Sequence, residues 1–478
     1  MTQGAIQKLI VNGLHQQLDI ELELKPGLNV LYGKNGRGKT TILHIIANIL
    51  ELDFQRFTSL QFTRIRIESF TQHSLEIFKE SDGRIKIHLD GSDVGVYERT
   101  EPTLVPELLP VERHTIRSIF GGRPVYLPAF RAILERVRAE AYHDTSRDAQ
   151  FEAIRNNERI ALREAELPLP PSRWHRNDIT ALIAKKTIQC REWFGPFVPI
   201  IRYPSLMEVS ESLSTEFRDA QIDLAQSERT MLSEMFIDVF KALLSKDETP
   251  SDGDIDPLMQ RVRQSIEKED SNDLSPYSNP IELRLAQVVE KVKEIGSPEE
   301  GAAQRRVLKL YAEMLEKRNE DRTAAFYKVK QLENSVNLFL DNKSLHVSER
   351  VPIASRRSAE PVYVQTENGR QYSLSSLSSG ERQVLTMLFS ATRMSTTAPG
   401  IFLIDEPELS LHVDWQRIIL GSLMAQAGER QILACTHSPE VGADHSEAVQ
   451  IFSPTFSDPV LPQPQSPDSE DFTLDDSL

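Results

Sequence analysis

Residues 29–50, NVLYGKNGRGKTTILHIIANIL, decide how the rest of the chain is read. The apolar run ending at Tyr32 reads as a buried strand, and helix-like spacing resumes from Thr40 to about Leu50. Between them Gly33-Lys34-Asn35-Gly36-Arg37-Gly38-Lys39-Thr40 fits G-x-x-x-x-G-K-[ST] in the strand–loop–helix setting that this motif requires. Glycines let successive backbone N–H groups wrap the β- and γ-phosphates, and the helix N-terminus adds its dipole. Lys39 neutralises phosphate oxygens and the Thr40 hydroxyl is placed to ligate Mg²⁺. Gly33 to Thr41 are therefore the expected phosphate-binding residues.

Outward from this stretch the chain is β-rich. AIQKLIVNGL and LDIELEL alternate apolar and polar residues and predict two antiparallel strands before the loop. FTRIRIESF, SLEIFKE and RIKIHLD alternate again after the helix, the last two joined by the turn Ser81-Asp82-Gly83. Residues 91–124 read as irregular, PVYLPAF as another buried strand, and the stretch from Arg131 to about Ala165 as helical with charges of both signs. A long helical stretch follows from about Ser205 to Leu340, interrupted by KDETPSDGD and DSNDLSPYSNP. Its last helix sets Phe326, Val329, Leu332, Val336 and Phe339 at spacings of three and four, a stripe suited to a subdomain core or to a coiled-coil hairpin. Strand signals resume at PVYVQTENGRQYSL, where Asn368-Gly369 is a hairpin turn. From Thr455 the tail has six acidic residues, no basic ones and four prolines, a composition that does not bury enough surface to fold alone.

The 478 residues suffice for two or three domains, or for one large domain with an insertion. A formal net charge of −16 argues against indiscriminate coating of nucleic acid while leaving room for a local basic patch. Cys190 and Cys435 are too few for a disulfide framework and lack metal-ligand spacing, as in a reduced cytosolic protein. No apolar run reaches the roughly 20 residues of a membrane span, and the N-terminal residues lack the parts of a signal peptide. The expected setting is cytoplasmic, with no membrane partner.

Two acid- and histidine-bearing strand ends and one serine-rich helix start carry the remaining chemistry. GIFLIDEPELSLH is an apolar strand ending in Asp405-Glu406: Asp405 is the expected Mg²⁺ ligand with Thr40, and Glu406 the group that polarises attacking water. QILACTHSP is another apolar strand, ending in His437, a γ-phosphate sensor at this position. Leu377-Ser378-Ser379-Gly380-Glu381 resembles the ABC-ATPase signature L-S-G-G-[EQ], with Ser379 where the family has glycine.

With these motifs in this order, the chain resembles an ABC-superfamily ATPase of the Rad50/RecF/SMC-like branch. The match covers the first fifty residues and roughly the last hundred. The resemblance implies an α/β fold: an ABC-type P-loop ATPase head with a first-lobe antiparallel β-sheet and a long helical insertion between Walker A and signature motifs. It implies ATP and Mg²⁺ as cofactors, Glu406 and His437 as catalytic residues, and ATP hydrolysis between heads paired head to tail. Ser378, Ser379, Gly380 and Glu381 of one head would then serve the nucleotide of the other, with Ser410 to His412 as the D-loop and either Gln61 or Gln72 as the Q-loop glutamine. The implied divisions are residues 1–204 and 346–455 as the two parts of the head, 205–345 as the helical insertion, and 456–478 as a disordered acidic tail.

Lys39 and Gly380 stand 341 positions apart, much farther than in transporter-type nucleotide-binding domains, while the insertion is much shorter than the coiled coils of Rad50 and SMC proteins. The finer resemblance is to the compact AAA_15/AAA_21-type and OLD-like ATPases, including the ATPase subunits of anti-phage systems such as PARIS or Septu. It implies a homodimer or higher homo-oligomer holding a separate nuclease or toxin effector, since the residues after His437 leave no room for one. The rival expectation is a RecF-like repair ATPase with DNA as partner, touched by the charged helices around RAILERVRAE and AAQRRVLKLYAEMLEKR; interleaved acids equally suit a solvated face.

Overall fold

The computed structural model describes residues 6–97, 110–131, 176–244, 298–348, 361–392 and 400–456, with scattered positions between 151 and 158 and between 257 and 265. The stretch 132–150 and the acidic tail from 457 onward lie outside the described residues.

Burial periodicity sorts the strands into layers. β1 (Ile6–Leu14), β2 (Leu18–Glu23), β4 (Arg64–Ser69), β5 (Ser74–Lys79), β6 (Ile85–Leu89), β7 (Ser92–Tyr97) and β15 (Thr455–Phe456) form an antiparallel sheet in the order β15-β2-β1-β4-β5-β6-β7. In β4 every second residue is buried, as in a sheet with one covered face. β3 (Leu28–Tyr32), β8 (Val125–Leu127), β12 (Phe402–Asp405), β13 (Ile432–Thr436) and β14 (Val449–Ile451) form a parallel sheet in the order β14-β3-β13-β12-β8. Every residue of β12 and β13 is buried, because this sheet is covered on both faces. Helix α1 (Lys39–Glu51) is buried without a break from Ile42 to Glu51, so its apolar residues run all round rather than in one stripe.

Residues 91–124 read as irregular in the sequence, but their described parts, 91–97 and 110–124, contain β7 and helix α2 (Pro110–Phe120). β7 is an edge strand burying only Tyr97, so it carries no alternation to read. Helix α3 (Arg176–Phe194) also escapes the hydrophobic pattern, because much of its buried side is polar. Lys186 Nζ there donates to Glu208 at 2.8 Å and to the Tyr203 carbonyl at 3.0 Å, and Arg191 Nη2 to Asp53 at 2.9 Å.

Helices α4 (Leu206–Leu244) and α5 (Pro298–Asn337) run antiparallel, since Phe217 packs at a tilt against Phe326, Ser227 bonds Asp321, and Arg318 bonds Glu228. With 39 and 40 residues each, they extend about 60 Å at ~1.5 Å per residue. Phe326, Val329, Leu332, Val336 and Phe339 are all buried in the main core, while Leu308, Tyr311, Ala312 and Leu315 make a separate cluster farther along with Val262. The stripe therefore roots the helix pair in the head.

The pair leads into a small antiparallel sheet of β9 (Lys343–Val347), β10 (Val362–Thr366) and β11 (Gln371–Tyr372), with Gly369 at φ +75° in the hairpin turn. Helices α6 (Ser379–Thr392) and α7 (Val413–Ala427) complete the described chain before β14 and β15. Phe456 is thus a strand residue and not part of a disordered tail.

Candidate nucleotide and catalytic site

The register of the parallel sheet assembles the site. Tyr32 pairs with Thr436, Asp405 with Cys435, and Ile404 with Leu127, so Gly33, His437, Glu406 and Pro128 leave the sheet at one edge. Backbone bonds tie these exits together: Gly33 N donates to Thr436 O at 3.3 Å and Glu406 N to Cys435 O at 2.8 Å. Carboxyl ends of parallel strands are where such folds bind ligands.

Gly36 (φ +76°) and Gly38 (φ +93°) hold left-handed conformations that the turn into α1 demands. No side chain caps α1 and its first turn carries no acid, which leaves its N–H groups to an anion. Lys34, Asn35, Gly36 and Thr40 are exposed; Gly33, Arg37, Gly38 and Thr41 are half-buried. Lys39 is buried and folds over the loop, donating from Nζ to the carbonyls of Gly33 (2.6 Å) and Lys34 (3.2 Å). Its ammonium thus sits inside the cradle.

Thr40 Oγ1 donates to Asp405 Oδ2 at 2.9 Å, and Asp405 Oδ1 is buried with no hydrogen-bond partner. Burial pushes the Asp405 carboxyl up to about 6, opposed by Thr40, Arg131 and Lys39. A hydroxyl beside a desolvated carboxylate with one unused oxygen is a donor set that fits Mg²⁺.

Glu406 has φ +49°, a strained value for a residue with a Cβ, and its carboxylate meets His437 Nδ1. Burial, reinforced by Glu408, raises its pKa to about 7, with His437 pulling the other way. A carboxylate poised near neutrality suits proton transfer from water. Glu408 is a residue that sequence reading missed. Its Oε1 accepts from Thr436 Oγ1 (2.6 Å), His437 N (3.0 Å) and Ser438 N (3.1 Å), fixing the loop that presents the histidine. Ligand atoms of Glu406, Glu408 and His437 all lie within 4.8 Å of one another.

Arg131 was missed as well. Fully buried, its guanidinium donates to the carbonyls of Asp405 (2.9 Å), Glu406 (2.8 Å) and Pro407 (3.2 Å), and to that of Pro128 (3.2 Å). It clamps the backbone that carries both carboxylates. Gln61 leads into β4 and Gln72 sits in the β4–β5 turn at φ +65°. Neither lies just beyond a strand of the parallel sheet; the loop leaving β8 runs from Pro128 to Arg131.

At the start of α6, Ser378 and Ser379 are exposed while Gly380 is buried. A Cβ on Gly380 would lie 2.6 Å from the Ser410 carbonyl and 3.3 Å from the Trp415 ring, so only glycine lets this turn pack on the loop after β12. Glu381 points inward: its Oε2 accepts from Ser378 N (2.7 Å) and Lys343 Nζ (2.8 Å), a capping box that stabilises the helix start. Burial alone would raise its pKa, but Lys343 and Ser378 hold it below the usual carboxylate value.

The family profile described as AAA_21, an AAA domain, putative AbiEii toxin, Type IV TA system, matches residues 225–444, from within α4 to beyond β13. The DNA replication and repair protein RecF of Salmonella arizonae is 27% identical over 139 residues, covering 26% of this chain and 38% of that protein. RecF of an Enterobacter species is 28% identical over the same length, with the same shares covered. The alignments thus span less than two-fifths of these relatives. Among solved structures, an Smc head domain bound to the C-terminal domain of ScpA, from Pyrococcus furiosus, aligns at TM-score 0.39 and 12% identity over 95% of this chain and 96% of that one. A RecF–ATPrS structure aligns at TM-score 0.31 and 11% identity over 92% and 95%. The profile covers the strands that bring Asp405, Glu406 and His437 to the loop at Lys39, and in these matches the chain is similar to P-loop ATPases of the RecF-like kind.

Proposed function

We propose that this chain binds and hydrolyses ATP between two copies paired head to tail. The observation that carries the reading is the meeting of Thr40 with Asp405, and of Glu406 with His437, at the mouth of the phosphate loop. Lys39 and the loop amides hold the phosphates, and Thr40 and Asp405 hold the metal. Mg²⁺, when bound, neutralises charge on the phosphate oxygens. Glu406 accepts a proton from water, and His437 orients Glu406 and faces the terminal phosphate. Ser378 and Ser379 form no hydrogen bond with the chain's own phosphate loop among the described residues. With Leu409, Ser410, His412 and Val413 they form an exposed face suited to the nucleotide of a second copy. Glu406→Gln is expected to bind ATP, fail to turn it over, and sediment as a dimer. A monomer at saturating ATP would overturn the head-to-tail arrangement.

The biological role we propose is the sensor and scaffold ATPase of an anti-phage system, holding a separate nuclease or toxin. The toxin–antitoxin description of the matching profile supports it. The RecF relatives favour a second reading, a repair ATPase acting on DNA ends or gaps. Purification under the native promoter separates the two: a co-purifying nuclease or toxin supports the first, and ATP-dependent retention on gapped DNA without a protein partner supports the second.

A further inference from the structure

The segment from Ile451 to Phe456 runs along the outside of the phosphate loop. Ile451 pairs with Tyr32, and Phe452 N donates to Tyr32 O at 2.7 Å. The Phe452 carbonyl comes so close that a Cβ on Gly33 would meet it at 3.0 Å. The chain then joins β2, pairing Thr455 with Asp19 and Phe456 with Leu18. Leu18 and Leu14 border the other end of the loop, within 3.7 to 3.9 Å of where a Gly38 Cβ would stand. Phe456 consequently lands beside Arg37, whose Cζ lies 5.1 Å from its ring centroid.

The ring is 63% exposed, an apolar surface left in water although the guanidinium holds it in place. The phosphate loop recognises phosphates only; a nucleotide's base must find its surface within one nucleotide's length of that cradle. An aromatic ring fixed by an arginine offers a flat face to any base, and a purine covers the most of it.

We infer that Phe456, held by Arg37, is the platform on which the purine base of the bound nucleotide stacks. This rests on the nucleotide reading of the Lys39 loop and adds to it a base contact from the far end of the described chain. Stacking reads a π-face and not an edge, so ATP and GTP gain alike from it.

The test compares ATP, GTP and inorganic tripolyphosphate, each with Mg²⁺, by calorimetry on the full chain. Phe456→Ala is expected to weaken both nucleotides about tenfold, the scale of one lost base–aromatic stack, and to leave tripolyphosphate within twofold. Phe456→Trp is expected to restore nucleotide affinity and to show fluorescence quenching with ATP but not with tripolyphosphate. Equal weakening of all three ligands, or no weakening of ATP, overturns the platform while leaving the phosphate loop's role intact. Wild-type protein that binds neither ATP nor tripolyphosphate overturns the nucleotide reading and the platform with it.

Discussion

Thr40 Oγ1 and Asp405 Oδ2 lie 2.9 Å apart although 365 positions separate them in the chain. The contact exists because β3 and β12 flank β13 in one parallel sheet, so the loop after β3 and the end of β12 share an edge. The two oxygens together make the candidate donor pair for a cation. The helical pair α4/α5, inserted between them in sequence, leaves this edge undisturbed because it roots elsewhere in the core.

Asp405→Asn tests that pairing. The amide oxygen still accepts from Thr40, so the fold is retained, but the charge that a cation requires is gone. Mg²⁺ should no longer strengthen ATP binding, and turnover should fall by roughly a hundredfold or more. Calorimetry with and without Mg²⁺ measures the first effect. Undiminished Mg²⁺ dependence would remove Asp405 from the metal site.

Arg131 should separate binding from chemistry. Arg131→Met keeps the bulk but removes the guanidinium bonds to the carbonyls of Asp405, Glu406 and Pro407, at about 1–3 kcal/mol for each carbonyl left with no other donor; Glu406 O keeps Leu409 N. The strained backbone at Glu406 loses its clamp. ATP affinity, set by the loop at Lys39, should stay within about twofold, while kcat falls about tenfold or more for roughly 1.4 kcal/mol of misplacement. Arg131→Lys, with a single ammonium in place of a fork, should fall between. A matched loss of affinity and kcat would make the residue merely structural.

What the sequence disclosed and what it hid follow from physical causes. The loop Gly33–Thr40, the Asp405-Glu406 strand end and His437 were legible because local chemistry and buried runs coincide there. Arg131 and Glu408 were not. One follows a strand of only three residues, and the other stands two positions beyond a carboxylate already assigned; their roles appear only when strand order is known. A positional rule narrows the search: the loop leaving each buried parallel strand belongs to the site, and after β8 that loop runs from Pro128 to Arg131. Helix α3 was hidden because its buried Thr180, Lys186, Thr187 and Arg191 break the apolar period, and β7 because an edge strand needs no buried face. Glu381, expected to serve the nucleotide of a second head, has its carboxylate capping its own helix in the single chain, a role that the motif alone does not announce.

Gly380→Ala probes the contact between the start of α6 and the loop at Ser410. The added methyl would stand 2.6 Å from the Ser410 carbonyl, so the two loops must part. Ser410, already at φ +62°, has little room to yield. ATP binding to the single chain should be nearly unchanged, but ATP-driven pairing should be lost, as should turnover. Mixing this variant with Lys39→Ala should recover part of the activity, because one composite site then combines an intact loop with an intact signature. Confirmed mixed dimers without any recovery would contradict composite sites.

His44 gives the head a measurable pH dependence. The ring is buried on α1, 2.8 Å from the Tyr126 hydroxyl, and burial lowers its pKa from 6.5 to about 3. The unfolded chain therefore binds a proton below pH 6.5 that the folded chain refuses, and stability falls as pH drops from 6.5 toward 3. The contribution is fully present above pH 6.5; between pH 8 and pH 5 it shrinks by about 2 kcal/mol, at ~1.36 kcal/mol per pH unit once the unfolded histidine is protonated. His44→Gln keeps a partner for Tyr126 but does not titrate. Urea unfolding at the two pH values should show wild type losing about 2 kcal/mol more than the variant. Equal losses would mean that His44 takes up its proton in the folded state as readily as in the unfolded one.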